Sequence, residues 1–209
     1  MDMADDSPAD TADDEGGQLE QVVTARELVM ALHRSAIARL VMLSADADTG
    51  CFGGVELARA IARTGLSCIL IDLSGDERIA AETGIAPDSP GLREFSDSRV
   101  PFADIIHRDS RGDCHVVPSN GAAPSPDSPD IALLLAACAE AYDCTIVQLG
   151  AGSRAELASL LDEETAIVVA GLASSRSGYE TIGRELRALG VDDLIFMQCA
   201  AGRRGSRGA

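Results

Sequence analysis

The sequence predicts an α/β fold: a doubly wound, mostly parallel sheet with helices on both faces. Two observations predict it. Short segments that are apolar throughout recur along the chain, for example CILIDL (68–73) and CTIVQL (144–149), and amphipathic helical segments separate them. Strands without apolar–polar alternation are typical of parallel sheets that are covered on both sides.

The first predicted elements are a helix and a strand. From Leu19 the segment LEQVVTARELVMALHRSAIARL predicts one helix, since apolar residues recur at near-helical spacing, at Val22, Leu28, Leu32 and Ile37. The strand candidate RLVMLSA (39–45) follows, and a glycine-containing turn leads to the helix VELARAIARTG (55–65). The later strand candidates are CILIDL, CHVV, CTIVQL, AIVVAG and LIFMQ, and the later helix candidates are IALLLAACAEAYD, RAELASLLDEE and GYETIGRELRALG.

Gly65 and Gly190 stand where two of these helices are expected to end. We expect the strand ending near Leu43 to be central, flanked by the strands ending near Asp72 and Leu149, since right-handed crossovers connect parallel strands. Ligands of such sheets bind beyond the carboxyl ends of the strands, so the loops at that edge bound any site.

The charge of the chain limits its partners. The net charge is −17, and the 17 basic residues are all arginine, so the chain contains no lysine. Nucleic acid is not an expected partner, because polyanions bind to clustered basic residues. Mechanisms that need a lysine are excluded for the residues of this chain.

The chain divides into three predicted regions. Residues 1–18 are acidic and almost without large apolar side chains, which predicts a disordered leader. Residues 19–199 predict one globular domain, and residues 200–209, with Arg203, Arg204 and Arg207, predict a flexible Arg/Gly tail. The sequence contains neither a signal peptide nor an apolar run long enough to span a bilayer, so we expect a cytoplasmic location.

The cysteines and histidines do not predict a metal site. The six cysteines form no C-x-x-C pair, and several lie in apolar runs, so we interpret them as small buried side chains in a reducing compartment. His33, His107 and His115 share no metal-like spacing.

Several segments together resemble a known family. In chain order they are LSADADTGCFGG, LARAIARTGLSCILIDLSGD, GLREF, CHVVPSNGAAPSPDSPDIALLLAACAEAYDCTIVQLGAG, AIVVAG and LGVDDLIFMQ. They resemble the ParA/MinD-type P-loop ATPase fold, and within it the cytoplasmic domain of bacterial tyrosine kinases and exopolysaccharide chain-length determinants. The resemblance covers roughly residues 25 to 198. It implies a P-loop NTPase-like fold and a cytoplasmic place at the inner face of the membrane, reached through a partner or a membrane segment outside this sequence.

The resemblance fails at the residues that carry chemistry in the family. The family's first loop reads approximately S-A-x-P-G-E-G-K-S-T, and the degenerate equivalent here includes Asp48, Gly50, Cys51, Phe52 and Gly53. Cys51 stands at the position of the lysine and Phe52 at that of the magnesium-binding hydroxyl. A phosphate loop needs positive charge, whereas this loop carries aspartates.

Two other family motifs are altered as well. The second acidic motif keeps Asp72 but has Ser74 at its second aspartate, and Gln148 replaces the strand-end aspartate that orients the metal. Asp72 is open to two interpretations, a ligand-binding acid or the start of a loop. The nearest match to the family's assembly motif E-x-x-R-x-x-R is Glu27, Met30 and His33, and the C-terminal segment lacks the family's tyrosines.

These departures predict a catalytically inactive ATPase- or kinase-like domain, without catalytic residues or a cofactor and with at best weak nucleotide binding. The expected partner is a protein of the polysaccharide synthesis or export machinery or an active relative, with homo-oligomers as a further option. One alternative is an unusual ATPase or kinase that takes a basic residue from a partner chain. Another, a dinucleotide-binding enzyme, fails because ADTGCFGG is not G-x-G-x-x-G.

Overall fold

A computed structural model describes residues 22–45, 50–121, 124–150 and 153–200, and these form one eight-stranded sheet. The strands are β1 (Val22–Thr24), β2 (Arg39–Ser44), β3 (Cys68–Leu73), β4 (His107–Arg108), β5 (His115–Val117), β6 (Cys144–Leu149), β7 (Thr165–Gly171) and β8 (Leu194–Gln198). Their order across the sheet is β1-β8-β7-β2-β6-β3-β5-β4. All neighbours run parallel except β4 and β5, which run antiparallel.

Helices cover both faces of this sheet. They are α1 (Ala25–Leu32), α2 (Gly50–Ala62), α3 (Arg78–Thr83), α4 (Leu92–Ser96), α5 (Pro129–Ala141) and α6 (Arg176–Ala188), with 3-10 helices at Phe102–Ile105 and Ser153–Leu160. Alternate residues of each strand point to opposite faces. Leu40 and Met42 of β2 therefore pack with α1, α2 and α3, whereas Val41 and Leu43 pack with α5 and α6. The prediction of a doubly wound α/β fold is confirmed.

The expected neighbours of β2 were partly wrong. β2 pairs with β6, as predicted, but its other neighbour is β7, and β3 lies one strand further out beside β6. The crossover through α2 therefore passes over β6 before the chain enters the sheet again. A right-handed crossover is compatible with either arrangement, so the rule on handedness does not decide which strand is adjacent.

The first predicted helix was also too long. Val22 and Val23 form an edge strand with β8, and α1 begins only at Ala25. Thr24 caps the helix: its hydroxyl accepts a hydrogen bond from the amide of Glu27, while the Glu27 carboxylate accepts one from the amide of Thr24. The sequence T-x-x-E carries this capping signal, which outweighs the apolar spacing that continues through it.

The helix ends and the buried cysteines agree with the prediction, whereas several short elements were not predicted. Gly65 and Gly190 have φ angles of +91° and +83°, so both adopt the predicted left-handed conformation after a helix. The helix predicted in RAELASLLDEE is a 3-10 helix, and α3, α4, β1 and β4 were not predicted. Five cysteines are buried as expected, while the side chain of Cys51 is not described.

The predicted leader and nearly all of the predicted tail lie outside the described residues, so the division into three regions stays a prediction. No helix within the described ranges has the length and apolar character needed to cross a bilayer.

Candidate functional site

The carboxyl ends of β2, β6 and β3 lie side by side at one edge of the sheet, and α2 begins at the same edge. Phe52 and Gly53 lie in the first turn of α2, and Asp72 and Gln148 are register partners in β3 and β6. The structure therefore brings together the predicted loop helix and two predicted strand-end positions. Of the other loop residues, Asp48 lies outside the described residues, and only the backbone of Gly50 and Cys51 is described.

The side chain of Gln148 is hydrogen-bonded to the backbone of the sheet. The side chain is buried, with 1% of the residue exposed, and its Nε2 donates hydrogen bonds to the carbonyl oxygens of Met42 and Leu149, each at 3.3 Å. Its Oε1 has no hydrogen-bond partner among the described residues. A Cβ built on Gly54 would stand 2.7 Å from this oxygen. The amide therefore occupies the space between β6 and the underside of α2.

Two glycines let α2 approach the sheet this closely. A Cβ on Gly53 would stand 2.6 Å from the Cβ of Ala170 in β7 and 3.1 Å from the Sγ of Cys199. Gly54 meets Gln148 in the same way. Gly54 was not among the predicted site residues. A Gly-Gly pair inside a helix is nevertheless a sequence signal of close packing, because each glycine costs about 1 kcal/mol relative to alanine.

Asp72 is enclosed by hydroxyl groups. Its residue is 1% exposed, its Oδ1 accepts hydrogen bonds from the amide and hydroxyl of Ser74, and its Oδ2 accepts one from the Ser119 hydroxyl at 2.9 Å. Burial raises the pKa of this carboxyl group, against the opposing effect of the hydrogen bonds from Ser74 and Ser119. The carboxylate thus fixes the loops after β3 and β5, which matches the interpretation of Asp72 as the start of a loop. Ser119 was not predicted.

β7 lies between two chain segments that leave the sheet at this edge. The amide of Ala45, just after β2, donates to the carbonyl of Ala170, and the amide of Cys199, just after β8, donates to the carbonyl of Gly171, each at 2.7 Å. The next amide, that of Ala200, donates to the Glu56 carboxylate of α2 at 2.9 Å. The chain therefore leaves β8 along the flank of α2.

A cleft of about 900 Å³ lies between the segment that follows β3 and the loop after β5. Its charged and polar lining comes from Asp76, Glu77, Arg78, Arg93, Glu94 and Asn120. Asn120 has a φ of +54°, and its Nδ2 donates to the Ser89 carbonyl and the Glu94 carboxylate. Asp76, Arg93, Glu94 and Asn120 lie in segments that resemble the family, but the sequence predicted no binding role for them.

Both tyrosine hydroxyls of the chain are engaged in hydrogen bonds. The Tyr179 hydroxyl is buried and donates to the carbonyl of Met197 at 2.8 Å. The Tyr142 hydroxyl lies 2.7 Å from Nδ1 of His115. The sequence contains two tyrosines, so each phenol oxygen already has a structural partner.

The residues at this edge do not fit the magnesium and nucleotide that the resemblance implies. Phe52 has no oxygen for a metal, and the Gln148 amide donates its protons to backbone carbonyls. Within the described ranges, no cluster of three or more His, Cys, Asp or Glu side chains is suited to a metal ion. This arrangement therefore consists of a closely packed helix start with an aromatic side chain, next to a buried amide at Gln148 and a buried carboxyl group at Asp72.

Solved structures with the same fold fall into two groups. The VpsO kinase domain superposes with a TM-score of 0.67 at 16% identity, over 84% of this chain and 91% of that one. The kinase domain of the Escherichia coli tyrosine kinase ETK gives 0.59 at 17% identity, over 88% and 77%. MinD from Pyrococcus horikoshii OT3, solved in complex with Mg-ADP, gives 0.57 at 16% identity, over 81% and 72%.

The chain has the fold of these domains. The P-loop NTPase-like α/β architecture predicted from the sequence is therefore confirmed. No protein-family model matches the sequence, and no curated protein sequence is significantly similar to it. The resemblance is thus carried by the arrangement of strands and helices, while the loop residues differ from the family pattern.

Proposed function

We propose that the chain is a catalytically inactive ATPase- or tyrosine-kinase-like domain that binds a protein partner and regulates exopolysaccharide synthesis or export. Tyrosine kinase domains are among the structures that share its fold, which supports this choice of system. The partner is a component of the polysaccharide machinery or an active relative of this chain. The domain acts in the cytoplasm, at the inner face of the membrane, where the partner holds it.

The proposal is supported mainly by Gln148, which stands near the carboxyl end of β6 where the family has an aspartate. Gln148 is neutral, fully buried and bonded to Met42 and Leu149, so it presents no carboxylate to a metal. The lysine is absent from the whole chain, and Phe52 supplies an apolar side chain where the family has a hydroxyl. Three independent requirements for nucleotide chemistry are missing together, while the fold that carries them is kept.

The partner surface that we propose is the loop edge around Phe52. An aromatic side chain that is partly exposed at the start of a helix is a suitable anchor for a partner. The family's assembly motif is a poorer candidate, because the Glu27 carboxylate accepts hydrogen bonds from the amide and hydroxyl of Thr24. That carboxylate serves the cap of α1.

Nucleotide binding gives the first test. Calorimetric titration with ATP and Mg²⁺ should show no binding in the micromolar range, which corresponds to about 8 kcal/mol. Cys51→Lys should not restore turnover by itself, because Phe52 and Gln148 remain. Micromolar affinity in the natural chain would instead support the alternative of an ATPase completed by a partner chain.

Partner capture gives the second test. Phe52→Ala should reduce binding to a membrane co-polymerase of a polysaccharide export system and to an active kinase relative, with each candidate partner purified and tested separately. Leu133→Ala is the matched control, since Leu133 is 66% exposed on α5, which packs on the opposite face of the sheet from α2. Equal binding by both variants, with unfolding midpoints unchanged, would contradict the proposed surface.

A further inference from the structure

Two cysteines begin neighbouring strands at the amino edge of the sheet. Cys68 is the first residue of β3 and Cys144 the first residue of β6, and the two are register partners in this parallel pair. Both side chains belong to the buried cluster on the face that α1, α2 and α3 cover. They come from segments 76 positions apart in the chain, so only the fold brings them together.

The spacing of the two cysteines suits a disulfide. Adjacent strands of a sheet lie about 4.8 Å apart, and the Cα atoms of a disulfide are about 4.4 to 6.8 Å apart. The two thiols also contact each other, since a hydrogen bond with Cys144, together with burial, raises the pKa of Cys68 well above its usual value. A small shift of the two strand ends is therefore enough to join the sulfur atoms.

A third cysteine beside this pair has a different partner. Cys114 directly precedes β5, the other neighbour of β3, so Cys68 lies between Cys114 and Cys144. The Sγ of Cys114 donates a hydrogen bond to Oδ2 of Asp109 at 3.8 Å, and Arg59 holds the same carboxylate. Because Cys114 is directed to Asp109, Cys144 is the partner of Cys68.

The hydrogen bonds next to the pair lie at the protein surface. Oδ2 of Asp143 accepts hydrogen bonds from the amide and the hydroxyl of Ser67, at 2.8 and 2.7 Å, and the Ser67 hydroxyl accepts one from the amide of Asp143 at 2.9 Å. Exposed hydrogen bonds of this kind open more readily than those of the core. Cys144 is 5% exposed and Cys68 1%, so a small oxidant that enters at this edge reaches Cys144 first.

We propose that Cys68 and Cys144 form a redox-controlled disulfide, with hydrogen peroxide as the oxidant. In the first step the Cys144 sulfur takes one oxygen from the peroxide: an S–O bond forms, the O–O bond breaks, and a sulfenic acid and one water result. In the second step the Cys68 sulfur attacks the Cys144 sulfur, the S–S bond forms, the S–O bond breaks and a second water leaves. Two thiols thus give up two electrons and two protons, and a dithiol reductant reverses the reaction.

The disulfide joins the two strands that carry Asp72 and Gln148. These residues are also register partners, four positions further along β3 and β6. The bond closes the chain between the two cysteines into a loop that contains α3, α4, β4, β5 and α5. Oxidation therefore stabilises the fold beneath the loop edge, chiefly because it restricts the unfolded chain, and reduction removes that gain. This inference is independent of the proposed function.

Peptide mapping without reductant tests the bond directly. Trypsin cleaves this chain after arginine and releases Cys68 in residues 64–78 and Cys144 in residues 112–154. After treatment with hydrogen peroxide and alkylation of the remaining thiols, mass spectrometry should find these two peptides joined within one chain, and dithiothreitol should separate them. Peptides that remain separate, or that carry sulfinic acid instead of the link, would overturn the proposal. A link between two chains would overturn it as well.

Two variants identify the cysteine that forms the link. Residues 112–154 also contain Cys114 and Cys138, so the map is repeated with Cys144→Ala and with Cys138→Ala as the matched control. The link should be lost in the first variant and kept in the second. A link that persists in Cys144→Ala would assign the bond to another cysteine and contradict the proposal.

Urea unfolding measures the effect of the bond on stability. The oxidised chain should have an unfolding midpoint about 1 to 2 M higher in urea than the reduced chain, and dithiothreitol should abolish the difference. Peroxide should not raise the midpoint of Cys144→Ala, which controls for oxidation of other side chains. Equal midpoints of the oxidised and reduced natural chain would show that the bond does not stabilise the fold.

Discussion

At the scale of single residues, the side chain of Gln148 near the end of β6 packs against Gly54 of α2. Oε1 of Gln148 lies 2.7 Å from the place where a Cβ of Gly54 would stand, which is too close for a real Cβ, so the two positions are coupled sterically. The amide keeps its orientation because both Nε2 hydrogen bonds go to carbonyl oxygens, which an inverted amide cannot satisfy. The side chain at 148 therefore determines which residues α2 can carry above it.

Gly54→Ala tests this coupling. The added methyl group would meet Oε1 of Gln148 at 2.7 Å and Cδ1 of Leu70 at 3.1 Å, and overpacking of this kind costs about 1 to 3 kcal/mol. Gln148→Ala in the same chain should remove most of that cost. A double-mutant cycle of unfolding free energies in urea measures the coupling, and additive effects would show that the two side chains do not compete for space.

Asp72→Asn tests the buried carboxyl group. Asparagine keeps an acceptor for Ser74 and offers a donor to the Ser119 hydroxyl, so the hydrogen bonds are retained. Because burial raises the pKa of Asp72 in the folded chain, the wild type loses stability as pH rises from about 4 through the raised value. The variant should therefore gain stability over the wild type across that interval.

Urea unfolding at a series of pH values measures the difference, with the exposed Asp88→Asn as control. A wild type that gains on the variant as pH rises would contradict the sign of the shift.

At the scale of elements, α2 is fixed at its far end by a buried ion pair. Arg59 donates from Nε and Nη2 to the two carboxylate oxygens of Asp109, each at 2.7 Å, and from Nη1 to Glu82 of α3 at 3.0 Å. The Asp109 side chain is fully buried. Burial acts to raise the pKa of Asp109, but Arg59 outweighs it and the pKa lies below its usual value. This contact joins α2 to α3 and to the loop between β4 and β5.

Arg59→Leu should destabilise the chain by about 3 to 5 kcal/mol at neutral pH, because it leaves a buried carboxylate without its partner. The pair's contribution is present above about pH 4 and disappears as pH falls through the lowered pKa of Asp109. The cost of the substitution should therefore shrink in acid. Denaturant unfolding measures it, and Arg63→Leu, an exposed position just after the end of α2, is the control with little effect.

At the scale of the whole molecule, the sequence predicts which segments form the sheet better than it predicts their order. Apolar runs such as CILIDL are identified because their composition reports burial on both faces. The position of β7 beside β2 depends on how the helices pack on the two faces of the sheet, and no local sequence pattern predicts that packing. Edge strands as short as β4, with two residues, give no periodicity to detect.

The site was predicted in the same uneven way. Phe52, Asp72 and Gln148 were found because a family pattern marks their positions. Ser119 and Gly54 were missed, because their roles come from contacts with Asp72 and Gln148, which are 47 and 94 positions away in the chain. The exit of the chain beside Glu56 likewise appears only once β8 is placed parallel to β7.

The outermost strands of the sheet have a consequence for how copies of the chain behave at high concentration. β1 has three residues, β4 has two, and β4 runs against the direction of the others. Extension of a sheet from one molecule to the next needs a longer open ladder of amides and carbonyls than either edge provides. Strand-to-strand aggregation therefore has little template here, and any assembly of the described part of the chain has to form through its helices and loops.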